Sequence, residues 1–294
     1  MTTEGSAIST VAAVPGTEAD KRTVSRFSAA RCAAVSVLLL AVLMVGFIGY
    51  LLGVSGIQEA GAQSRLYATL AGELGQDIGP LGPTAPGAPV AVLSIPKIGL
   101  RDVVVVEGTS PGVLTSGPGH LRNTPLPGQL GTSVIFGRRR TFGAPFASFD
   151  RLRPGDKITT ITQQGPSVYK VVAVGDSQHP VNDPTLNRLV LLTASSPDVP
   201  AYYLEVDADL VSTVHNGPVQ MPAVGPSEKA MAGDTGALVL TMIWGFALAF
   251  TGLAGAAAAA RWPPWPVYLI IAPAVLAILW NFYESLAALL PNLY

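Results

Sequence analysis

Charge is scarce in this sequence. Only 13% of its 294 residues are Asp, Glu, Lys or Arg, against about 25% in a typical soluble domain. Lys plus Arg number 18 and Asp plus Glu 19, a formal net charge of −1. No basic surplus exists to hold a phosphate backbone, so nucleic acid is not expected as a partner. The one cysteine, Cys32, excludes an intrachain disulfide and a cysteine-built zinc site. Three histidines leave too little for a histidine metal cluster, and neither metal nor cofactor is expected. What is plentiful is apolar: 49% of residues are hydrophobic, with a mean hydropathy of +0.43. Glycine (31) and proline (25) are also abundant, which favours turns over long soluble helices.

The apolar excess is concentrated. Residues 33–54 and 235–260 carry no charge, and 267–290 carry only Glu284. Each stretch is long enough to cross a bilayer core, which takes about 20 helical residues. The first is too long for the apolar region of a cleaved leader, roughly 7–15 residues, although Ala60-Gly-Ala62 has the look of a cleavage site. It is read as an uncleaved anchor. Lys21, Arg22, Arg26 and Arg31 precede it and place the N-terminal side in the cytoplasm. Residues 261–266 (RWPPWP) then form a cytoplasmic turn, and the segment between the first and second spans lies outside. The expectation is a multi-pass protein of the cell membrane, with the lipid bilayer as its first partner. Cys32 stands before the first span, so it is no lipoprotein cysteine, and it reads as a small residue of a membrane helix. Asn281 and Glu284 share one face of the third span. Glu284 is a functional candidate by its place in a membrane segment, and it also lies close enough to the outer end to reach water.

Residues 1–32 lack an apolar period and are expected to be a disordered tail. Residues 55–89 begin helical and end in a Pro-Gly-rich linker, and 213–234 form a second linker. Residues 90–212 remain, enough for one core. They read as β: Val90–Ile95, Val103–Glu107, Thr132–Phe136, Lys157–Thr162, Val168–Val174, Leu189–Thr193 and Tyr202–Val211, separated by turn signals such as Arg153-Pro-Gly-Asp156. Many short strands at close spacing predict a mainly β sandwich or closed barrel. A short helix is expected at Pro145–Leu152.

Six segments, in order, carry a resemblance. They are Leu93-Ser-Ile-Pro-Lys-Ile-Gly-Leu100, Gly108 through Gly117-Pro-Gly-His120, Pro127-Gly-Gln-Leu-Gly131 into Val134-Ile-Phe-Gly137, Thr141-Phe-Gly-Ala-Pro-Phe146, Leu152-Arg-Pro-Gly-Asp156, and Leu192-Thr193 through Pro197. The domain resembles the sortases, particularly the actinobacterial class E-like group: membrane-anchored cysteine transpeptidases of Gram-positive cell surfaces. The resemblance implies an eight-stranded β-barrel, which would lie outside the membrane between the one N-terminal and two C-terminal transmembrane helices read from the apolar runs.

It also implies three catalytic positions. Sortases attack a peptide carbonyl with a thiolate, protonate the leaving amine with an imidazole and steady the oxyanion with a guanidinium. In this sequence the histidine position is Arg138, in Gly137-Arg-Arg-Arg-Thr141. The cysteine position is Ser195, in Leu192-Thr-Ala-Ser-Ser-Pro197. The arginine position is Tyr203, which opens Tyr203-Leu-Glu-Val-Asp-Ala-Asp-Leu210. Arg138 cannot replace a base, because a guanidinium stays protonated. A rescue of Ser195 by His179 is the one alternative base within the domain's own loops. His120 and His215 read as non-catalytic, and the aspartates beside turns read as turn formers. Arg138 to Arg140 read equally as an anion-binding spot or as solvated charges.

The reading is a degenerate sortase that keeps the barrel and has lost the catalytic set. Candidate peptide-groove residues are Arg138, Arg139, Thr193, Ser195, Ser196, Tyr203 and His179. The partner expected is a cell-surface peptide or protein, or a partner sortase. Two rivals stay open: an active enzyme using Ser195 or a residue supplied by a partner, and a structural subunit of a membrane complex held by its last two helices.

Overall fold

The computed structural model describes residues 17–176, 178, 186–196, 202–218 and 221–294, with backbone alone at 17–30, 32, 33 and 264. The chain divides into Met1–Ile48 and Gly49–Tyr294. In the first unit, helix α1 (Thr17–Gly49) begins well inside the stretch expected to be disordered, so residues 17–32 are helical; residues 1–16 lie outside those described. Thr17 to Arg22 explains the difference. It holds Glu18, Ala19, Lys21 and Arg22, all good helix formers, and it runs directly into an apolar helix that needs no new nucleus.

The second unit opens with a π-helical turn, Tyr50–Val54, followed by α2 (Ser55–Gly75). Eight strands follow: β1 Pro89–Ile95, β2 Leu100–Glu107, β3 Gly119–His120, β4 Thr132–Phe136, β5 Lys157–Thr162, β6 Gly165–Asp176, β7 Arg188–Ala194 and β8 Tyr203–Leu210. They close into a barrel in the order β1-β2-β3-β4-β7-β8-β6-β5. Most pairs are antiparallel; β2 with β3 and β4 with β7 are parallel. Helices α3 (Ala237–Ala259) and α4 (Pro264–Ala287) complete the fold.

Alternation along the strands builds the core. Leu189 and Leu191 of β7 point inward to meet Val90, Leu93, Ile135, Ile158, Val171 and Val206. Phe146 and Phe149 stack beneath them with ring centroids 4.0 Å apart. These two rings explain why Pro145–Leu152 is not the helix expected. Both sink into the barrel, and only Phe149–Arg151 makes one 3₁₀ turn. Gly137 makes the fit possible: a Cβ there would lie 2.2 Å from the Phe146 ring.

Helices long and apolar enough to cross a membrane lie at Ala34–Gly75, Ala237–Ala259 and Trp265–Ala287. In α3 and α4, Phe246, Phe250, Leu253, Leu269 and Ile270 are exposed. A helix apolar all round suits a lipid solvent. Gly255 lets α3 and α4 approach, since a Cβ there would sit 3.2 Å from Ile271. Glu284 has a structural partner: Gln58 donates to its carboxylate at 3.1 Å and accepts from the Tyr50 hydroxyl at 2.9 Å.

The stretch 213–234, read as a loose linker, is bonded to the barrel instead. His215, half-buried rather than free, exchanges main-chain bonds with Gly128 and Leu130 at 2.9 Å each. Glu228 is buried and takes a forked pair from Arg122 at 2.8 and 2.9 Å. Burial pushes its carboxyl up, but the bonds from Arg122 and Gly225 outweigh that and hold it below the ordinary value. Its contribution to stability is therefore complete above the ordinary carboxylate pKa of about 4.3 and lost as pH falls through the lower folded value. Glu228→Gln should unfold at a lower temperature than wild type at pH 6, and the gap should narrow as the pH falls below the ordinary carboxylate value. A gap unchanged at the lower pH would assign the loss to packing.

Candidate functional site

Sheet topology gathers the three catalytic positions of the resemblance at one end of the barrel. β4 and β7 run parallel and in register, Phe136 opposite Leu192, and the Gly137 N–H donates to the Leu192 carbonyl at 2.9 Å. β8 returns antiparallel, with Tyr203 opposite Ala194 and the Ser195 N–H bonded to the Tyr202 carbonyl at 2.9 Å. Arg138, Ser195 and Tyr203 thus follow or begin three adjacent strands.

Arg138 differs most from expectation. It is 0% exposed, so it is neither a solvated charge nor an open anion site. Its guanidinium donates to the carbonyls of Leu114 (3.2 Å) and Pro111 (2.8 Å) and to the Thr141 hydroxyl (3.2 Å). It also lies 4.7 Å from the centroid of Phe142, a cation–π contact that strengthens when desolvated. Burial pulls its pKa down to about 10, still far above neutrality, and the group stays a donor. The loop that holds it is conformationally unusual. Phe142, Gly143 and Ala144 all have positive φ (50°, 70° and 46°), a costly run for two residues with a Cβ. The segment is pinned from outside: the Phe142 N–H donates to the Ser55 hydroxyl at 3.0 Å, and its ring meets Tyr50 edge-on at 6.2 Å.

The other candidates divide. Arg139 is buried as well and donates to the Ala194 carbonyl at 3.0 Å, while Arg140 is exposed. Thr193 shares the inward parity of Leu189 and Leu191, so it lies on the barrel side of β7 and away from the outer face. Ser195 and Ser196 are half-buried, and the Ser195 hydroxyl accepts a long bond from the Tyr202 N–H, 3.4 Å. Tyr203 packs against the outer face. His179 lies outside the described residues.

A second constellation has the spacing of a triad: Thr124 Oγ1 is 3.1 Å from His120 Nε2, and His120 Nδ1 is 3.0 Å from Glu107. It cannot act as one. Both ring nitrogens face acceptors: Nε2 also lies 3.0 Å from the Pro125 carbonyl, and Nδ1 meets the Glu107 carboxylate, so neither is left open to take a proton from Thr124. The Thr124 hydroxyl donates to the Leu121 carbonyl at 2.7 Å. The set is a buried brace between β2, β3 and the loop after them.

Residues 290–294 are the part of the site that sequence reading passed over. The third span was drawn to residue 290, and the rest had no assignment. α4 ends at Ala287, and the chain then returns to the barrel. Leu293 is 0% exposed in a cluster with Leu114, Phe136, Val190, Leu192 and Ala194. This contact explains why β7 is buried along both faces. The only signal in the sequence was Pro291 after an apolar helix, followed by further apolar residues.

A sortase-domain family model matches residues 93–208. Sortase D of Bacillus subtilis (strain 168) is 29% identical over 118 residues, 40% of this chain and 52% of that protein; the chain thus spans about half the length of this curated relative. Sortase E from Streptomyces avermitilis is 32% identical, covering 44% of this chain and 91% of that one, with a TM-score of 0.38. Sortase E1 from Streptomyces coelicolor, solved with a tripeptide in its active site, is 28% identical over 44% of this chain and 91% of that one, TM-score 0.38. The family model spans β4, β7 and most of β8, the strands that carry the site, and the 32% identity extends over 91% of the sortase E chain. On these grounds, with a closed eight-stranded barrel to match, the chain belongs to the sortase family.

Proposed function

We propose that this protein is a sortase that has given up transpeptidation and works by binding. The observation that carries this reading is Arg138. At the position of the family's general acid stands a buried cation whose donors are all turned to main-chain carbonyls and Thr141. It can neither take a proton from a nucleophile nor give one readily. Among the described residues, Ser195 meets the Tyr202 N–H rather than an imidazole or a carboxylate, and an unactivated hydroxyl is a weak nucleophile. What remains at the end of β4, β7 and β8 is a face suited to a peptide, a cell-surface protein or a partner sortase.

The membrane placement belongs to the same proposal. Basic residues before the first span and in the 261–266 turn support a barrel on the outer face of the cytoplasmic membrane, in a Gram-positive and by resemblance actinobacterial cell. Reporters fused before residue 1 and after residue 294 should read cytoplasmic and external. Both on one side would refute three spans.

The catalytic part is tested with purified protein, a Leu-Pro-x-Thr-Gly peptide and an amine acceptor. Neither cleavage nor transfer is expected, and Ser195→Ala should change nothing. Turnover that Ser195→Ala abolishes would make the protein a serine enzyme.

A further inference from the structure

The outer face of β4, β7 and β8 is covered by a short peptide from the same chain. Leu290-Pro291-Asn292-Leu293-Tyr294 crosses it, held by contacts of the kind an extended ligand makes. The Arg139 N–H donates to the Leu293 carbonyl at 3.0 Å, and the Asn292 N–H donates to the Ala232 carbonyl at 2.9 Å. The Asn292 side-chain amide donates to the carbonyls of Thr109 (2.8 Å) and Lys229 (3.0 Å). The Thr141 hydroxyl donates to the Tyr294 main-chain oxygen at 2.8 Å and accepts from Arg138. Leu293 fills the apolar slot between Leu114, Phe136 and Ala194, beside Tyr203 and Met231.

The contacts concentrate where the site is. Arg138, Arg139 and Thr141 lie on the loop after β4, Ala194 immediately precedes Ser195, and Tyr203 stands opposite Ala194. One segment therefore touches, directly or through Thr141, the surroundings of all three family positions. Much of its binding is to main chain, with one buried leucine as anchor. That is how a groove recognises an extended peptide: backbone bonds hold it and a pocket for a side chain selects it.

We propose that residues 290–294 are the resident ligand of this face, a self-supplied peptide strap that any outside peptide must displace. The inference rests on the binding reading above and adds what fills the site. Its consequence is arithmetic. The strap is joined to the barrel through α4 and the 226–234 segment, so it competes at a high effective concentration. The apparent affinity for an outside peptide falls by the fraction of molecules whose strap is out. The class of ligand is defined by the strap itself: an extended segment with a polar amide followed by an apolar anchor.

The test uses the full chain in detergent micelles and a fluorescent peptide of sequence Leu-Pro-Asn-Leu-Tyr. Leu293→Asp places a carboxylate in the apolar slot and should release the strap. Amide exchange at Arg139 should then accelerate, and the peptide should bind at least about tenfold tighter than to wild type. Leu293→Ala should give a smaller shift in the same direction, and it serves if the aspartate variant does not fold. Released strap with unchanged peptide affinity would overturn the inference and make the segment a structural cap. So would wild-type amides at Arg139 and Asn292 exchanging as freely as in an unfolded chain. A Leu-Pro-x-Thr-Gly peptide separates the two claims. If released protein binds the strap peptide but not this one, the strap stands and the sorting-peptide form of the binding proposal falls.

Discussion

Arg138→Ala is expected to lower the unfolding midpoint by on the order of 10 °C. The side chain is 0% exposed, and its removal has two costs. It leaves a cavity, and it strands the carbonyls of Pro111 and Leu114, which have water as no substitute in a buried site. Together these amount to about 3–5 kcal/mol, at roughly 2–4 °C per kcal/mol for a domain or chain of this size. Circular dichroism of the solubilised protein measures it. The neighbour Arg140 is exposed, and Arg140→Ala should stay within about 0.5 kcal/mol of wild type. Arg138→Lys should fall between, because an ammonium cannot fork across two carbonyls and a hydroxyl. An Arg138→Ala protein that melts within a degree or two of wild type would mean that the burial is not realised in solution.

The second large effect is chemical. The triple change Arg138→His, Ser195→Cys and Tyr203→Arg restores the family's side chains on the inherited strands. It is expected to form no thioacyl adduct with a Leu-Pro-x-Thr-Gly peptide while Leu293 occupies the face. Addition of Leu293→Asp should allow a slow adduct, read by intact mass in a Cys32→Ser background. Ser195→Cys changes little in volume. Tyr203→Arg removes a ring from the outer-face cluster and brings a charge to a half-buried place, a cost of a few kcal/mol. Arg138→His is the harder step, since an imidazole has at most two donors and cannot reach all that the guanidinium holds. Equal reactivity of the triple and quadruple variants would show that the strap controls nothing. No adduct in a folded quadruple variant would show that the loop after β4, not the strap, keeps the site from chemistry.

The sequence alone determined the elements whose physics is local or compositional. Strands such as Thr132–Phe136 and Lys157–Thr162 were legible because alternation and turn residues act within a few positions. The apolar helices were legible because a bilayer demands an uninterrupted run. The tertiary structure decided everything that depends on distant partners. β3 is only Gly119–His120, too short for any periodicity, and it exists because β2 and β4 pair with it from either side. Arg138 sits in a run of three arginines that reads as solvent-exposed. It is buried because carbonyls at 111 and 114, more than twenty residues earlier, are turned toward it. Residues 290–294 have no pattern of their own. Their place on β7 is set by a slot that forms only when the barrel has closed and α4 has brought the chain back to it. Propensity and periodicity describe a chain's neighbours in sequence, and burial of a lone charge or a five-residue strap depends on neighbours in space.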